Sequence, residues 1–460
     1  MNTGATHSPP WHYRSTVSGA DWPAVPDPHG ANLLALLFQF ERTQWLPPAE
    51  LRALQDRQLT ELLRHAWETV PYYRECWRTV FDPARPPTTA GLARLPLLTR
   101  AQLRDRYADL QSTRPPPAHG RHGHLRTSGS TGVPLRTVNT EVNELLWSAI
   151  TLREHAWQGR DLGGKLAAIR QGVQAGETPG WGPSTDAVVV TGPCVLLPVN
   201  TPVNVQLEWL QREQPDTLLS HPSNIAELAR QSLARGLRLP RLREVRTSGE
   251  MLPEGLRELC REAWDVPVTD MYSANEVGYL ALQCPNHVRY HVQAESVLVE
   301  VIDAAGHPCA PGDIGRVVVT TLQNFAMPLV RYEIGDYAEV GMPCPCGRGL
   351  PVLERIVGRV RNMLVLPSGE RAWPAFALRA LMDEIPLLQH QFVQKSLDLI
   401  EARLVTAAPL SAAQENRLRE HLLAKLPPGF RMNFVYCESI PRSAGGKFED
   451  LVSEVSFPSH

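Results

Sequence analysis

Residues 217–264 read TLLSHPSNIAELARQSLARGLRLPRLREVRTSGEMLPEGLRELCREAW. Two short apolar runs, TLLSH (217–221) and EVRTSG (244–249), have the length and composition of buried strands. The segments that follow them, NIAELARQSLARG (224–236) and PEGLRELCREAW (253–264), repeat their apolar residues every three or four positions, as amphipathic helices do. Upstream, AAIR (167–170) and VQLEWLQRE (205–213) continue the same alternation, so that 165–271 reads as strands and helices in turn. That order predicts an α/β sheet with helices packed on its faces.

Outward from this centre the texture changes. VLVEVID (297–303), GRVVVTTL (315–322) and DYAEV (336–340) are strand-like runs separated by Gly and Pro turns, and they predict a β-barrel-like or antiparallel subdomain. Towards the N-terminus a helical pattern runs from Leu33 to about Trp77 and is expected to end at Pro71. Short strand character over 134–138 and a helix over 142–157 follow the Gly-rich run TSGSTG (127–132), which would open a turn between strands. Beyond Gly358, the strand–turn–strand MLVLPSGERAWP (363–374) and the helix SAAQENRLREHLLAKL (411–426) predict a small α+β C-terminal domain. The expected division is a flexible leader over 1–28, a large N-terminal domain over 29–357 and a mobile C-terminal domain over 358–460.

With 460 residues the chain is long enough for two or three domains. A net charge of −2 with scattered basic residues excludes the electrostatic footprint of a nucleic-acid or membrane partner and favours a small-molecule substrate. No apolar run reaches the roughly 20 residues that cross a bilayer, and the first 28 residues lack a hydrophobic signal core, which together predict a cytoplasmic protein. The eight cysteines are too irregularly spaced for a secreted disulfide framework.

In the run Thr127-Ser128-Gly129-Ser130-Thr131-Gly132, glycines permit conformations that turn successive amides inward, and these join the hydroxyls in a cradle for phosphate. It is not a Walker A loop, because no Gly-Lys-Ser/Thr follows, and a polar hairpin turn is the alternative reading. Lys447, in PRSAGGK (441–447), is one of four lysines in the chain; its ammonium could neutralise oxygen charge in a transition state, or simply be solvated. Cys344 and Cys346, with Cys284 and either His287 or His291, supply four ligands for a tetrahedral, structural Zn²⁺; unpaired thiols are the alternative.

In order along the chain come TSGSTG, Ser248-Gly249-Glu250, Tyr272-Ser273-Ala274-Asn275-Glu276, RYEIGD (331–336), Gly358-Arg359 and Lys447. This order resembles the adenylate-forming superfamily of acyl- and aryl-CoA synthetases, and within it the phenylacetate–CoA ligase family. The resemblance covers nearly the whole chain, from LLRHAWETVPYYR (62–74) to Lys447. It implies that Thr127 to Gly132 hold ATP phosphates, that Tyr272 stacks on adenine, and that Ser248, Gly249 and Glu250 line its edge. Ser273 and Asn275 would adjoin the nucleotide, Asp336 would bind the ribose hydroxyls, and Glu276 would hold Mg²⁺.

Arg359 would contact the nucleotide or orient the C-terminal domain, with position 361 as hinge. Arg361 stands where members often carry an acidic residue or a lysine, and Asn275 where many have Thr. For the zinc site the family's matching segment favours His291. The implied reaction is adenylation of a carboxylic acid, aryl or arylacetic, by ATP with release of pyrophosphate, then transfer to CoA, with Lys447, Glu276 and Arg359 as catalytic groups. The acid pocket would lie between His221-Pro222-Ser223, the helix carrying Trp147 and the segment after Glu250. The alternatives are transfer to an amine or carrier protein, adenylylation of a cofactor, or a non-catalytic nucleotide- or zinc-binding regulator. A monomer or homodimer is expected.

Overall fold

The computed structural model describes residues 11–126, 135–359, 363–366, 371–372, 385–406, 408–441, 448 and 451–455. The expected phosphate loop Thr127 to Gly132, Arg361 and Lys447 lie outside the described residues. Helices α1 (Pro28–Thr43), α2 (Pro48–Thr69), α3 (Pro71–Cys76) and α4 (Arg100–Asp105) open the chain. Pro71 does not simply end the helical pattern. It occupies the first turn of α3, where a missing N–H costs nothing, so one expected helix becomes a chain of three. Part of the expected leader is tied down: the Trp11 indole donates to the Arg160 carbonyl, and Arg14 and Val190 exchange backbone hydrogen bonds with Val188 and His12.

Strands β1 (His122–Arg126) and β2 (Arg136–Thr140) pair antiparallel, with Arg126 opposite Arg136, so the Gly-rich stretch does join two strands. Helix α5 (Glu141–Trp157) follows, its start fixed by a Thr140/Asn143 capping box. The alternating region then yields β3 (Leu166–Arg170), β4 (Gly176–Thr178), α6 (Pro183–Asp186), β5 (Cys194–Pro198), α7 (Val203–Glu213), β6 (Thr217–Ser220), α8 (Pro222–Arg235), β7 (Glu244–Ser248), α9 (Leu256–Trp264) and β8 (Val268–Ala274). Strands β5, β3, β6, β7 and β8 are parallel, and burial of consecutive residues in β3 shows that both its faces are covered.

The β-rich region forms β9 (Gly278–Gln283), β10 (Tyr290–Val292), β11 (Val297–Ile302), β12 (Ile314–Thr321), β13 (Tyr332–Val340) and β14 (Val352–Arg359). These strands are antiparallel as expected. Because β9 pairs with β8, the expected barrel-like subdomain is, among the described residues, the antiparallel half of one twelve-stranded sheet ordered β11-β12-β13-β14-β10-β9-β8-β7-β6-β3-β5-β4. The chain leaves β3 for β5 on one side and returns to β6 on the other. That reversal opens a crevice at the carboxyl ends of the strands, where α/β sheets bind ligands.

Past β14, the short pair β15 (Leu364–Val365) and β16 (Arg371–Ala372) precedes a separate four-stranded sheet ordered β19-β18-β17-β20. Its strands are β17 (Leu387–Ser396), β18 (Leu399–Thr406), β19 (Arg431–Tyr436) and β20 (Leu451–Ser453), and α10 (Ala412–Leu423) packs with them around Phe392, Leu404, Leu418 and Leu422. No helix among the described residues is long and apolar enough to cross a membrane.

Candidate active site

Ser248, Ala274 and His221 stand at or just past the carboxyl ends of β7, β8 and β6 and open onto a cleft of about 2670 Å³. A single drug-sized ligand needs roughly 300–1,000 Å³, so this cleft has room for more than one substrate. Ser248, Gly249, Glu250, Tyr272, Ser273, Asn275, Glu276, Asp336 and Arg359 all line it. They come from four separate stretches of sequence. Across it stand Leu387, His390 and Phe448 of the C-terminal unit, so the cleft lies between the two parts of the chain.

Sheet register explains how the wall is built. Asp336 on β13 is paired with Arg359 on β14, and the Arg359 Nε donates to Asp336 Oδ1 at 3.1 Å. From β8 the Tyr272 hydroxyl donates to the other oxygen, Oδ2, at 2.8 Å. Burial, reinforced by the Asp336 carboxylate, raises the Tyr272 phenol well above its ordinary value, so it remains a donor. Asp336 thus has a cation on one oxygen and a fixed hydroxyl on the other.

Glu276, in the tight turn between β8 and β9, is only 5% exposed. Its Oε1 accepts from Tyr332 Oη at 3.3 Å and from Arg100 Nη1 at 3.4 Å. The resemblance assigned Arg100 no part. Leu98 is the reason it arrives: its N–H donates to the Arg331 carbonyl and its own carbonyl accepts from Glu333 N–H, which docks the segment alongside β13. Thr99 then caps α4 and starts the helix at Arg100. The Thr99-x-x-Gln102 capping box is the one local signal that could have drawn attention to this position.

Glu250, expected at the adenine edge, lines the cleft and makes two contacts of its own. Its Oε2 accepts from the Ser223 N–H at the start of α8 at 3.0 Å, and its Oε1 accepts from the Phe448 N–H at 2.7 Å. Also lining the cleft, Trp147 on α5 stacks on Tyr279 with ring centroids 4.3 Å apart, and the Tyr279 hydroxyl lies 3.2 Å from Thr151 Oγ1. Trp181 meets His155 edge to face at 5.6 Å. Burial, with Arg246 and Arg160 beside it, keeps His155 neutral, while Arg246 itself is paired with buried Glu154 at 2.7 Å. Aromatic faces over a polar floor therefore form one end of the cleft.

The sulfur-rich residues form a second centre. Cys284 ends just past β9, His291 is on β10, and Cys344 and Cys346 lie on the loop joining β13 to β14. Their ligand atoms all fall within 4.8 Å of one another. Cys344 Sγ is 3.8 Å from Cys284 Sγ and Cys346 Sγ is 3.3 Å from His291 Nε2, against edges of about 3.8 Å for a tetrahedron with zinc–sulfur arms. His287, the other candidate, is exposed and outside the cluster.

Gly347, at φ +87°, supplies the left-handed residue that turns this loop, with its N–H donating to the Cys344 carbonyl. Gly349 presses so close to α1's end that a Cβ would sit 1.8 Å from the Leu46 carbonyl oxygen. Burial first, then the neighbouring Arg348 guanidinium, lowers the His291 imidazole to about 4, leaving the neutral ring that binds metals. For Cys346 burial acts the other way, but N–H donation from Arg348 and the adjacent thiols outweighs it and lowers the thiol.

A large sheet-built part with a small α+β part facing it across a ligand cleft is the architecture of adenylate-forming CoA ligases. The solved structure of 2-hydroxyisobutyryl-CoA ligase in the postadenylation state, in complex with 2-HIB-AMP, matches with a TM-score of 0.72 at 20% identity, covering 90% of this chain and 92% of that one. The same enzyme with 2-HIB-AMP and CoA in the thioesterification state matches with a TM-score of 0.59 at 21% identity, covering 90% and 91%. In sequence, the chain is homologous to phenylacetate–coenzyme A ligases: that of Thermus thermophilus is 26% identical over 447 residues, covering 88% of this chain and 97% of that enzyme. No family model matches the chain.

Proposed function

We propose that this protein is an AMP-forming acid–CoA ligase that activates an aryl or arylacetic acid. The observation that carries the reading is the single cleft wall on which Tyr272, Glu276, Asp336 and Arg359 converge from distant parts of the sequence. Relatives named phenylacetate–CoA ligase, and a fold shared with a ligase solved with acyl-AMP and CoA, support it.

In the first half-reaction a carboxylate oxygen attacks the α-phosphorus of ATP. The P–O bond to the β-phosphate breaks, its electron pair leaves with pyrophosphate, and an acyl-adenylate remains. No general base is required, since the acid is ionised at neutral pH. Asp336, oriented by Tyr272 and Arg359, would accept from the ribose hydroxyls. The segment Thr127 to Gly132 would hold the phosphates, and Lys447 would neutralise charge on the carboxylate and the bridging oxygen. In the second half-reaction the CoA sulfur attacks the acyl carbon, the C–O bond breaks and AMP departs. The C-terminal unit would rotate about 358–361 between the two steps.

Glu276 offers oxygen ligands, the kind Mg²⁺ prefers, and Arg100 supplies a countercharge when no cation is bound. Magnesium held there would screen the phosphate charge. Trp147, Tyr279 and Trp181 give the cleft flat apolar faces, which favours an aromatic acid. Cys284, His291, Cys344 and Cys346 would hold a structural Zn²⁺, because four protein donors leave no open position.

A pyrophosphate-release screen over aryl and fatty acids, with and without CoA, tests the reading. Expected is acid-dependent release of about one equivalent without CoA, becoming continuous turnover with CoA. Absence of release with every acid would overturn it.

A further inference from the structure

Glu250 makes contacts that its motif does not explain. One carboxylate oxygen caps the N-terminal end of α8 through Ser223, where a helix favours negative charge. The other accepts the N–H of Phe448, at 2.7 Å across the cleft. Phe448 directly follows Lys447, so the amide held by Glu250 is the one that joins the two residues. The same helix receives the C-terminal sheet further along: β17 packs against α8, and the half-buried His390 is pushed down to about 3 by desolvation and by the Arg230 guanidinium of α8.

Resting on the ligase reading above, we propose that Glu250 is a positioning residue, a latch between the N-terminal end of α8 and the amide following Lys447 that sets the C-terminal unit for adenylation. Among the described residues it holds one charge-assisted hydrogen bond from each side on a single carboxylate, and it has to open when the C-terminal unit turns to admit CoA. A hydrogen bond to a charged group is worth about 1.5–3 kcal/mol, or roughly ten- to a hundredfold in the population or rate it governs.

The test has two arms. In the first, hydrogen–deuterium exchange is followed at the Phe448 amide of the full chain without ligands. Glu250→Ala should exchange there at least about tenfold faster than wild type, and Glu250→Gln, which keeps one carbonyl acceptor, should fall between. In the second, ATP–pyrophosphate exchange with phenylacetate, or with the best acid of a panel, is compared with thioester formation from synthetic acyl-adenylate and CoA. Glu250→Ala should lower the maximal exchange rate roughly ten- to a hundredfold with little change in KM for ATP, and should not slow thioester formation.

A raised KM for ATP at an unchanged maximal rate would make Glu250 an adenine contact and overturn the latch. Equal losses in both half-reactions with a lowered melting temperature would make it merely structural and overturn it too, as would unaltered exchange at Phe448. If wild type itself shows no exchange with any acid, the ligase reading fails, while the amide measurement still decides the contact.

Discussion

The hairpin of β13 and β14 carries a different kind of site at each end. At its open end Asp336 and Arg359 face each other, and at its closed end the connecting loop brings Cys344 and Cys346 to Cys284 and His291. The open end is charge-balanced by the protein itself: Asp336 has Arg359 and the Tyr272 hydroxyl, and nearby Glu276 has Arg100. At the closed end three thiols and a neutral imidazole turn their lone pairs towards one another, an arrangement a dication between them makes favourable. The contrast separates two proposed uses of one hairpin: a site that balances its own charge can admit and release ligands, whereas a ring of soft donors has the chemistry to hold the structural metal proposed above.

Three substitutions test how separate the ends are. Asp336→Ala should have the largest effect, lowering kcat/KM for ATP by roughly a hundredfold through loss of charged hydrogen bonds to the ribose. Metal content should be unchanged in that variant, and a fall in zinc would show that the two ends are coupled. Cys344→Ser should reverse the pattern: bound zinc, measured by elemental analysis, drops from about one per chain to none, and the melting temperature falls by several degrees. Turnover by protein that remains folded should change only a few-fold, and a loss matching that of Asp336→Ala would merge the two sites. Trp147→Ala, on the aromatic face of the cleft, should raise KM for an aryl acid roughly five- to tenfold and leave KM for ATP and zinc content alone.

The alternation over 165–271 was legible because each strand and helix there buries its own apolar face, a local property of the chain. The same holds for α10, whose Ser411 and Gln414 form the capping box that starts it. Arg100 was not legible. It meets Glu276 only after Leu98 docks on β13, and nothing near position 100 in the sequence refers to either partner. Glu250 was found by motif order, but its binding to Ser223 and Phe448 depends on where the C-terminal unit sits. His291 parted from His287 on backbone geometry: β10 pairs with β9 and β14, which buries His291 beside the cysteines, while His287 stays exposed in the preceding turn.

The proposed reaction is activation of a carboxylic acid by ATP at this cleft with Lys447 as the charge-neutralising group. Acid-dependent ATP–pyrophosphate exchange, measured without CoA in wild type and in Lys447→Ala at equal folded concentration, tests that most directly. The predicted result is exchange in wild type only when an acid is present, reduced at least about a hundredfold in Lys447→Ala with an unchanged melting temperature. Exchange that persists undiminished in Lys447→Ala, or that appears with no acid at all, would contradict it.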